Sequence, residues 1–425
     1  MRPTLDTTLS PSIRRRWSAL LFAATLAAAA AAAPVLAADP IKVGFSMSLT
    51  GGSAAVGKQT LVALQIWRDD LNARGGLLGR PVELVYYDDQ SSPATVPGLY
   101  TKLIDLDKVD LLVGPYGTNI TAAAMPAVMQ RGRTIVSIFA NAANSEFHYP
   151  NYFCMNPTGP APKGAYSAGF MELAKSNGLK TIALAGVESE FGLNALQGAR
   201  ENARAAGLQI VYDKTYPPAT TDFAPTLRAL QALRPDAIYV AAYPPDSTGV
   251  LRAAAEIGLG AKMFGGAFVG FLTTTLQLQA GPQMNGIVQY TPYIPAPSLL
   301  FPGTREFLAR YESRAAGAGI DPLGYTFPPM AYAAGQVTAD AVAGAGSLDP
   351  GRIADYLRSH TFHTVVGEVA FGPDGEWRES RVLFAQWQGV SGHGIDQLKD
   401  APHQKIVWPP KWKTGELQLP YSVGR

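Results

Sequence analysis

The stretch LLVGPYGTN, residues 111–119, joins a short apolar run to the polar start of a helix-like segment. Leu111–Val113 have the pattern of a buried strand, which Gly114 and Pro115 end before Thr118. A phosphate-binding loop would need the pattern GxxxxGK[ST], whose lysine is missing here. A helix N-terminus still presents free backbone N–H groups and the positive end of the helix dipole. The stretch therefore predicts a strand-to-helix junction that favours a small anion.

Strand-like and helix-like segments alternate on both sides of this junction. Leu61, Leu64 and Leu71 recur at helical spacing, and Gly75 and Gly76 mark the end of their helix. Strands that alternate with helices indicate right-handed βαβ crossovers and a largely parallel, doubly wound sheet. The predicted strands cover residues 41–49, 81–89, 110–114 and 133–140, and the predicted helices cover residues 58–76, 92–108 and 119–131.

A second series of the same kind begins after the proline-containing stretch 151–160. Two similar series predict an α/β fold with two doubly wound parallel-sheet lobes. Three later helices, near 303–316, 326–344 and 350–359, are expected to complete the first lobe, and 364–388 has the pattern of a hairpin with Asp374 and Gly375 at its turn. The second series has predicted strands at 180–186, 208–213, 236–242 and 261–266 and predicted helices at 162–176, 191–206, 222–233 and 246–257.

The N-terminus has the pattern of a secretory signal peptide. Arg14, Arg15 and Arg16 precede the apolar run WSALLFAATLAAAAAAA, and small residues follow, so cleavage is expected after Ala37. The run is shorter and richer in alanine than a membrane span. No cysteine follows the cleavage point that could carry a lipid anchor, so we expect the mature protein to be free in the periplasm.

Composition excludes several classes of partner and chemistry. The predicted signal peptide carries four basic residues and one acidic residue, so its removal changes the net charge from +2 to −1. This near-neutral balance gives no reason to expect nucleic acid or a membrane surface as a partner. Cys154 is the sole cysteine, which rules out an intrachain disulfide.

Three predicted strand ends are rich in hydroxyl, amide and aromatic groups and free of charge. They are residues 46–50, 116–119 and 139–141. Ligands of doubly wound sheets bind beyond the carboxyl ends of the strands, where the strand order reverses. The sequence therefore predicts one rim that favours an anion through neutral groups.

Five stretches of the chain carry a family resemblance that extends over essentially the whole mature chain. The chain resembles the type I periplasmic solute-binding proteins of ABC importers, specifically the leucine/isoleucine/valine-binding, or branched-chain amino acid, family. The stretch with the most specific pattern is LNARGGLLGRPVELVYYDDQSSP. The others are VGFSMSLTGGSAAVGKQTLVAL, LLVGPYGTN, FGLNALQGAR and AIYVAAYPPDSTGVLRAA.

The resemblance implies two lobes that are joined by three crossover strands and close on one small molecule. It implies a monomer that delivers its solute to an ABC permease and ATPase in the inner membrane, with no cofactor, no metal and no enzymatic activity. The expected division is a signal peptide at 1–37, an N-terminal lobe formed by 38–157 and 292–375, a C-terminal lobe formed by 158–291 and 376–395, and a tail strap at 396–425.

The resemblance also implies roles for individual residues. Thr118 and its backbone N–H, beside Tyr116 and Asn119, match the group that holds the ligand carboxylate. Asn141, with Ala140, matches the second anion-holding segment, where a threonine is more usual. Phe139 lies at the same strand end, and Phe191 and Tyr243 match or adjoin aromatic positions that cover the ligand.

Departures from the family pattern bear on the ligand. Amino-acid binders carry an acid after the strand equivalent to residues 261–266, whereas this chain has Ala267 and then Phe268. Ser91 and Gly117 replace a family disulfide. Without a substitute acid, a ligand ammonium would be buried unpaired at a cost of several kcal/mol. With Tyr116, Phe139, Phe191, Tyr243 and Phe268 as candidate walls, we expect an aromatic or apolar carboxylate, unless Glu188, Glu190 or Asp246 pairs the ammonium of a branched-chain amino acid.

Each of these interpretations has a plainer alternative. Thr118 could be a helix N-cap only, and the aromatic set could be core. Glu188 and Glu190 could cap a helix rather than act as an acid–base pair, and His360 and His363 could lie in a solvated turn rather than bind metal. A protein of the same fold that senses a ligand for a receptor or regulator stays open as a second function.

Overall fold

The computed structural model describes residues 39–421. The predicted signal peptide and the last four residues of the predicted tail lie outside this range. Within the described residues, no helix combines the length and the apolar character that crossing a bilayer requires.

The first half of the fold is a five-stranded parallel sheet with helices against it. Its strand order is β2-β1-β3-β4-β5, so the third strand lies beside the first, and the order reverses between them. Val43 lies opposite both Leu84 and Leu111 in this register. The strands are β1 (Ile41–Met47), β2 (Val82–Asp88), β3 (Leu111–Val113), β4 (Ile135–Ser137) and β5 (Tyr152–Cys154); the helices are α1 (Ala54–Ala73), α2 (Val96–Thr101), which continues as a π-helical turn over Lys102–Leu106, and α3 (Thr118–Gln130).

The second half contains a second parallel sheet of five strands, with the order β10-β9-β8-β6-β7. The single helix predicted over 162–176 is broken, because both the N–H and the hydroxyl of Ser167 bind the carbonyl of Gly164 and close a tight turn there. The strands are β6 (Thr181–Val187), β7 (Gln209–Tyr216), β8 (Ala237–Ala242), β9 (Met263–Phe268) and β10 (Val288–Thr291); the helices are α4 (Pro162–Ala165), α5 (Ala168–Ser176), α6 (Glu190–Ala205), α7 (Ala224–Ala232), α8 (Pro244–Glu256) and α9 (Thr274–Ala280).

Three later helices pack back onto the first half of the fold. They are α10 (Thr304–Ala315), α11 (Phe327–Ala345) and α12 (Pro350–Ser359). α11 lies against α1, where Gly335 meets the ring of Trp67 so closely that a Cβ would be 2.3 Å from it. The hydroxyl of Tyr332 donates to Asp70 at 2.8 Å, which fixes the same contact at its polar edge.

The prediction of one hairpin over 364–388 is wrong. A short hairpin forms earlier, between β11 (Thr361–Thr364) and β12 (Gly367–Ala370). Residues 372–376 do make a tight turn, in which Gly372 N–H binds the carbonyl of Glu376. The strand that follows, β13 (Leu383–Trp387), pairs instead with β10 in the second sheet. All five of its residues are buried, as expected of an inner strand rather than of one half of an isolated hairpin.

The tail differs from the predicted strap, because part of it belongs to the second sheet. β14 (Gln404–Trp408) pairs antiparallel with β13 and extends that sheet to seven strands. The ring of Trp408 packs edge-on against Phe384, with centroids 5.9 Å apart. These contacts make residues 404–408 an edge strand.

The chain passes between the two sheets three times: after β5, after β10 and before β13. Two of these connections touch each other, because Arg381 N–H donates to the carbonyl of Pro157 at 2.9 Å. The lobe boundaries given above stay a prediction.

Candidate ligand-binding site

The predicted anion-favouring junction is a helix N-terminus with no side-chain cap. Gly117 precedes α3 with φ of +92°, a conformation that side chains rarely adopt, and Thr118 is the first helical residue. The Thr118 hydroxyl does not cap the helix but accepts a hydrogen bond from Asn141 N–H at 2.9 Å. The interpretation of Thr118 as a plain N-cap is therefore wrong, since Gly117 occupies the N-cap position.

Two of the predicted rim segments are joined as the sequence order suggests. Tyr116 and Phe139 form an isolated parallel bridge, and Gly117 N–H donates to the carbonyl of Phe139 at 2.7 Å. The ring centroids of Tyr116 and Phe139 are 6.5 Å apart. The ends of β3 and β4 thus form one continuous surface.

Ala140 and Asn141 lie behind this surface rather than in the cavity lining. The carbonyl of Ala140 accepts from the Asn156 side chain at 2.9 Å, and the carbonyl of Asn141 accepts from Asn194 at 3.0 Å. The Asn141 side-chain amide is fully buried, and neither of its polar atoms has a hydrogen-bond partner in the part of the chain that the structure describes.

The second half of the fold meets this surface through the N-termini of α6 and α8. Phe191 N–H donates to the side-chain oxygen of Asn119 at 3.1 Å. The ring of Tyr243, just before α8, lies 4.8 Å from the ring of Phe191. The phenol of Tyr243 lies against the Thr118 hydroxyl and the Asn119 backbone N–H, and burial raises its pKa well above the ordinary value.

These elements enclose a small cavity at the junction. Its free volume is about 10 Å³, close to the space of one water molecule. Six of the nine lining residues are aromatic, and none carries a formal charge. The lining residues are Tyr116, Gly117, Thr118, Phe139, Tyr166, Phe191, Tyr243, Val269 and Tyr290.

Three lining residues were not predicted from the sequence. Tyr166 and Tyr290 stack with centroids 4.1 Å apart, and Val269 follows β9 directly. Tyr166 precedes α5, and Tyr290 lies in the last strand before a connection between the sheets. The position of Tyr166 and Tyr290 near connections between the sheets could have identified them from the sequence, because such segments face both halves of the fold.

Ala267 and Phe268 do not line the cavity, contrary to the expectation that Phe268 forms a wall. Both are fully buried in β9. The ring of Phe268 packs against Phe264 and Phe271, with centroids 5.7 and 5.6 Å away. Successive strand residues point to opposite faces, so the placement of one ring depends on register.

The three acids considered as ammonium partners are placed differently. Asp246 is buried in the first turn of α8, where it accepts a hydrogen bond from the Tyr216 hydroxyl at 3.3 Å. Burial raises the pKa of Asp246 to about 6. Glu188 and Glu190 are exposed to solvent. None of the three lines the cavity.

Histidine and cysteine side chains lie away from this site. His360 stacks on Tyr356 with centroids 3.7 Å apart, and His363 lies 3.8 Å from Glu368 across the β11–β12 hairpin. Cys154 is buried in β5, where burial raises the pKa of its thiol. Among residues 39–421, no group of three or more His, Cys, Asp or Glu side chains is arranged to hold a metal ion.

The architecture is that of a type I periplasmic binding protein. Two largely parallel sheets are joined by three connections, and a cavity lies where helix N-termini from the two halves of the fold meet. The profile of the periplasmic binding protein family matches residues 40–393, and the chain belongs to that family. Its relatives place it with the branched-chain amino acid group.

Three relatives illustrate the range of the family. The leucine-, isoleucine-, valine-, threonine- and alanine-binding protein of Pseudomonas aeruginosa is 25% identical over 374 residues, which span 86% of this chain and 95% of the relative. A leucine-binding protein from Thermotoga maritima superposes with a TM-score of 0.71 at 21% identity, covering 83% of this chain and 96% of that one. A solute-binding protein from R. palustris in complex with benzoate gives a TM-score of 0.71 at 20% identity, covering 90% and 97%.

Several solved relatives are named as solute-binding proteins of ABC transporters. This chain is itself a periplasmic solute-binding protein, with a small molecule as its ligand.

Proposed function

We propose that this protein captures a small aromatic or apolar carboxylate between its two halves and delivers it to an ABC permease and ATPase. The main observation in support is the lining of the cavity at the junction of the two sheets, which is mostly aromatic and carries no formal charge. The two halves would close on the ligand by rotation about the three connections between the sheets.

The carboxylate end of the ligand is assigned to the start of α3. Because Gly117 supplies no side-chain cap, the first N–H groups of this helix are available to a ligand. These groups and the Thr118 hydroxyl attract an anion through dipoles, and the helix dipole adds to them. The Tyr243 phenol lies against the same groups and would move aside or donate its own hydrogen bond when a carboxylate binds.

The other end of the ligand is assigned to the aromatic wall. An α-ammonium group there would meet tyrosine and phenylalanine rings and no carboxylate. A buried ion without a partner costs several kcal/mol. Asp246 accepts a hydrogen bond from Tyr216, Glu188 and Glu190 are exposed, and none of the three acids lines the cavity.

Two of the relatives favour different classes of ligand. The benzoate complex shows that this fold holds an aromatic acid in another member, whereas the Pseudomonas relative is named for amino acids. An amino acid therefore stays as the second candidate. Glu190 is the acid that could serve it, since its carboxylate lies 3.4 Å from Asn194 beside the α6 N-terminus and close enough to Tyr243 to raise that pKa.

The test is calorimetry on protein that has been unfolded and refolded to remove any carried ligand. Leucine and isocaproate form a matched pair, because isocaproate is leucine without its amino group, and benzoate adds the aromatic case. We expect isocaproate and benzoate to bind more tightly than leucine. Tighter binding of leucine would reject the proposal and favour the amino acid.

A further inference from the structure

A second cavity shares no lining residue with the first. This groove, here called the tryptophan groove, has a volume of about 690 Å³ and is open to solvent. Its apolar wall consists of Phe301, Trp377 and Trp412, with Arg381 among them. The volume is in the range of sites that hold small organic molecules.

Arg381 is a cation with no anionic partner in the part of the chain that the structure describes. Its guanidinium carbon lies 4.7 Å from the ring centre of Trp377 and 5.4 Å from that of Phe301. Among residues 39–421, no carboxylate lies within 4.0 Å of the guanidinium, and its Nη2 is buried without a hydrogen-bond acceptor. Burial lowers the pKa of the group to about 10, so it stays charged at neutral pH.

A second donor in the same wall also lacks an acceptor. The Trp377 side chain is only 4% exposed, and its indole Nε1 has no hydrogen-bond partner within the described residues. Buried N–H groups are normally paired, because leaving one unpaired costs about 1–3 kcal/mol. The wall of one groove therefore contains two unpaired donors, which a ligand that accepts hydrogen bonds would reach after a small shift of the wall.

The wall is held in place by its backbone. Arg381 N–H donates to the carbonyl of Pro157, and Gly367 leaves space that a side chain would fill, since a Cβ there would be 2.7 Å from the Phe301 ring and 3.0 Å from the Arg381 guanidinium. The rim carries charges of both signs. His363 faces Glu368 at 3.8 Å, and the Lys411 ammonium lies 4.9 Å from the Trp412 ring. Glu379 is a further, exposed rim charge.

We propose that the tryptophan groove is a second binding site, which takes a small aromatic carboxylate. The carboxylate pairs with the Arg381 guanidinium, whose planar fork matches two carboxylate oxygens, and the ring packs against Trp412 and Phe301. The Trp377 indole N–H supplies a further hydrogen bond once a shift of the wall exposes it. A single negative charge suits one unpaired cation, while Glu368 and Glu379 at the rim disfavour a larger polyanion.

The tryptophan groove can be observed separately from the cavity at the junction of the two sheets, here called the cleft. The cleft lining contains no tryptophan, whereas the groove lining contains two. The experiment is fluorine NMR of protein labelled with fluorotryptophan and titrated with benzoate. The resonances of Trp377 and Trp412 are assigned from Trp→Phe variants, and those of the core residues Trp67 and Trp387 serve as internal references. We expect the Trp377 and Trp412 resonances to shift with saturation.

Four variants decide the origin of the shifts. Arg381→Leu should weaken the titration by about 10-fold or more, as expected when a charged hydrogen bond is lost, and Arg381→Lys should weaken it less. The matched control is Arg378→Leu, which removes a cation three residues away that binds the carbonyls of Phe371 and Arg358. It should leave the titration unchanged, as should Thr118→Val in the cleft.

Several outcomes would overturn the proposal. Absence of shifts at millimolar benzoate, or shifts that survive in both Arg381 variants, would exclude a carboxylate site at Arg381. Shifts that disappear in Thr118→Val would assign the signal to the cleft. Equal shifts with benzamide, the neutral analogue of benzoate, would show that the negative charge of the ligand does not contribute to binding. A failure of the cleft proposal appears separately, as calorimetric binding that Thr118→Val does not change.

Discussion

The backbone N–H of Phe191 donates a hydrogen bond to the side-chain oxygen of Asn119 at 3.1 Å. Asn119 lies in the first turn of α3 and Phe191 in the first turn of α6, so this bond joins helix N-termini from the two halves of the fold. A second bond runs beside it, from the Asn194 amide to the carbonyl of Asn141 at 3.0 Å. The two halves are therefore closed over the cavity by direct contacts.

Asn119→Ala should shift the ligand-free protein towards an open arrangement. The variant loses one hydrogen bond between the halves, worth about 0.5–1.5 kcal/mol, which lowers the closed-to-open ratio by about 2- to 12-fold. Small-angle scattering would show a larger radius of gyration. Asn177→Ala is the control, since that asparagine is an exposed C-cap on α5 and binds only the carbonyl of Leu173 and the neighbouring Ser176. An unchanged radius in Asn119→Ala would mean that other contacts hold the closure.

Thr118→Val should weaken carboxylate binding in the cleft. Valine keeps the shape of threonine but loses the hydroxyl, and the loss of a hydrogen bond to a charged group costs about 1.5–3 kcal/mol. Calorimetry with benzoate measures the change, and benzamide is the matched ligand without the charge. The benzamide affinity should fall less. A benzoate affinity that stays within assay error would place the carboxylate elsewhere.

Sequence reasoning predicted the alternation of strands and helices because burial and helical spacing act locally. The junction at Thr118 followed from the same logic, since strand ends of one parallel sheet meet at one edge. The rings of Tyr116 and Phe139, from two predicted strand ends, do lie close together, and so do those of Phe191 and Tyr243, which the family resemblance singled out.

The errors arose where the partner of a segment decides its structure. The chain around Asp374 does turn, but β13 pairs with β10, about a hundred residues earlier, and no local pattern shows that choice. Phe268 was expected in the cavity, but it packs in the core as the last residue of β9, and Val269, the first residue of the 3-10 turn that follows, lines the cavity instead. Tyr166 and Tyr290 were missed because their roles depend on how the connections bring the two halves together.

Gly335→Ala should destabilise the protein. A Cβ at this position would lie 2.3 Å from the Trp67 ring, so α11 and α1 would have to move apart. Overpacking of this kind costs about 1–3 kcal/mol. The measurement is the urea midpoint of unfolding. Gly98→Ala is the control, because no heavy atom would lie within 4 Å of its Cβ and alanine favours a helix. Equal midpoints for both variants would contradict the close packing of α11 on α1.

Glu376 is a buried carboxyl between two of the connections that join the sheets. One of its oxygens accepts a hydrogen bond from the Thr158 hydroxyl at 2.9 Å, and the other has no partner among residues 39–421. Burial, and to a lesser extent the charge of Asp374, raise the pKa of Glu376 from 4.5 to about 8. Between these two pH values the folded protein holds a proton that the unfolded chain has lost.

The free energy of unfolding should therefore fall as pH rises from about 4.5 to about 8, with Glu376 contributing at most about 1.4 kcal/mol per pH unit. Glutamine keeps the shape of the side chain but has no proton to lose, so Glu376→Gln should remove this part of the pH dependence and be relatively more stable at the alkaline end. Urea unfolding at a series of pH values measures the slope, and Glu379→Gln, an exposed neighbour, is the control. A slope that is the same in Glu376→Gln and the parent protein would show that Glu376 is already ionised in the folded state, and that water or a shift of Thr158 solvates its second oxygen.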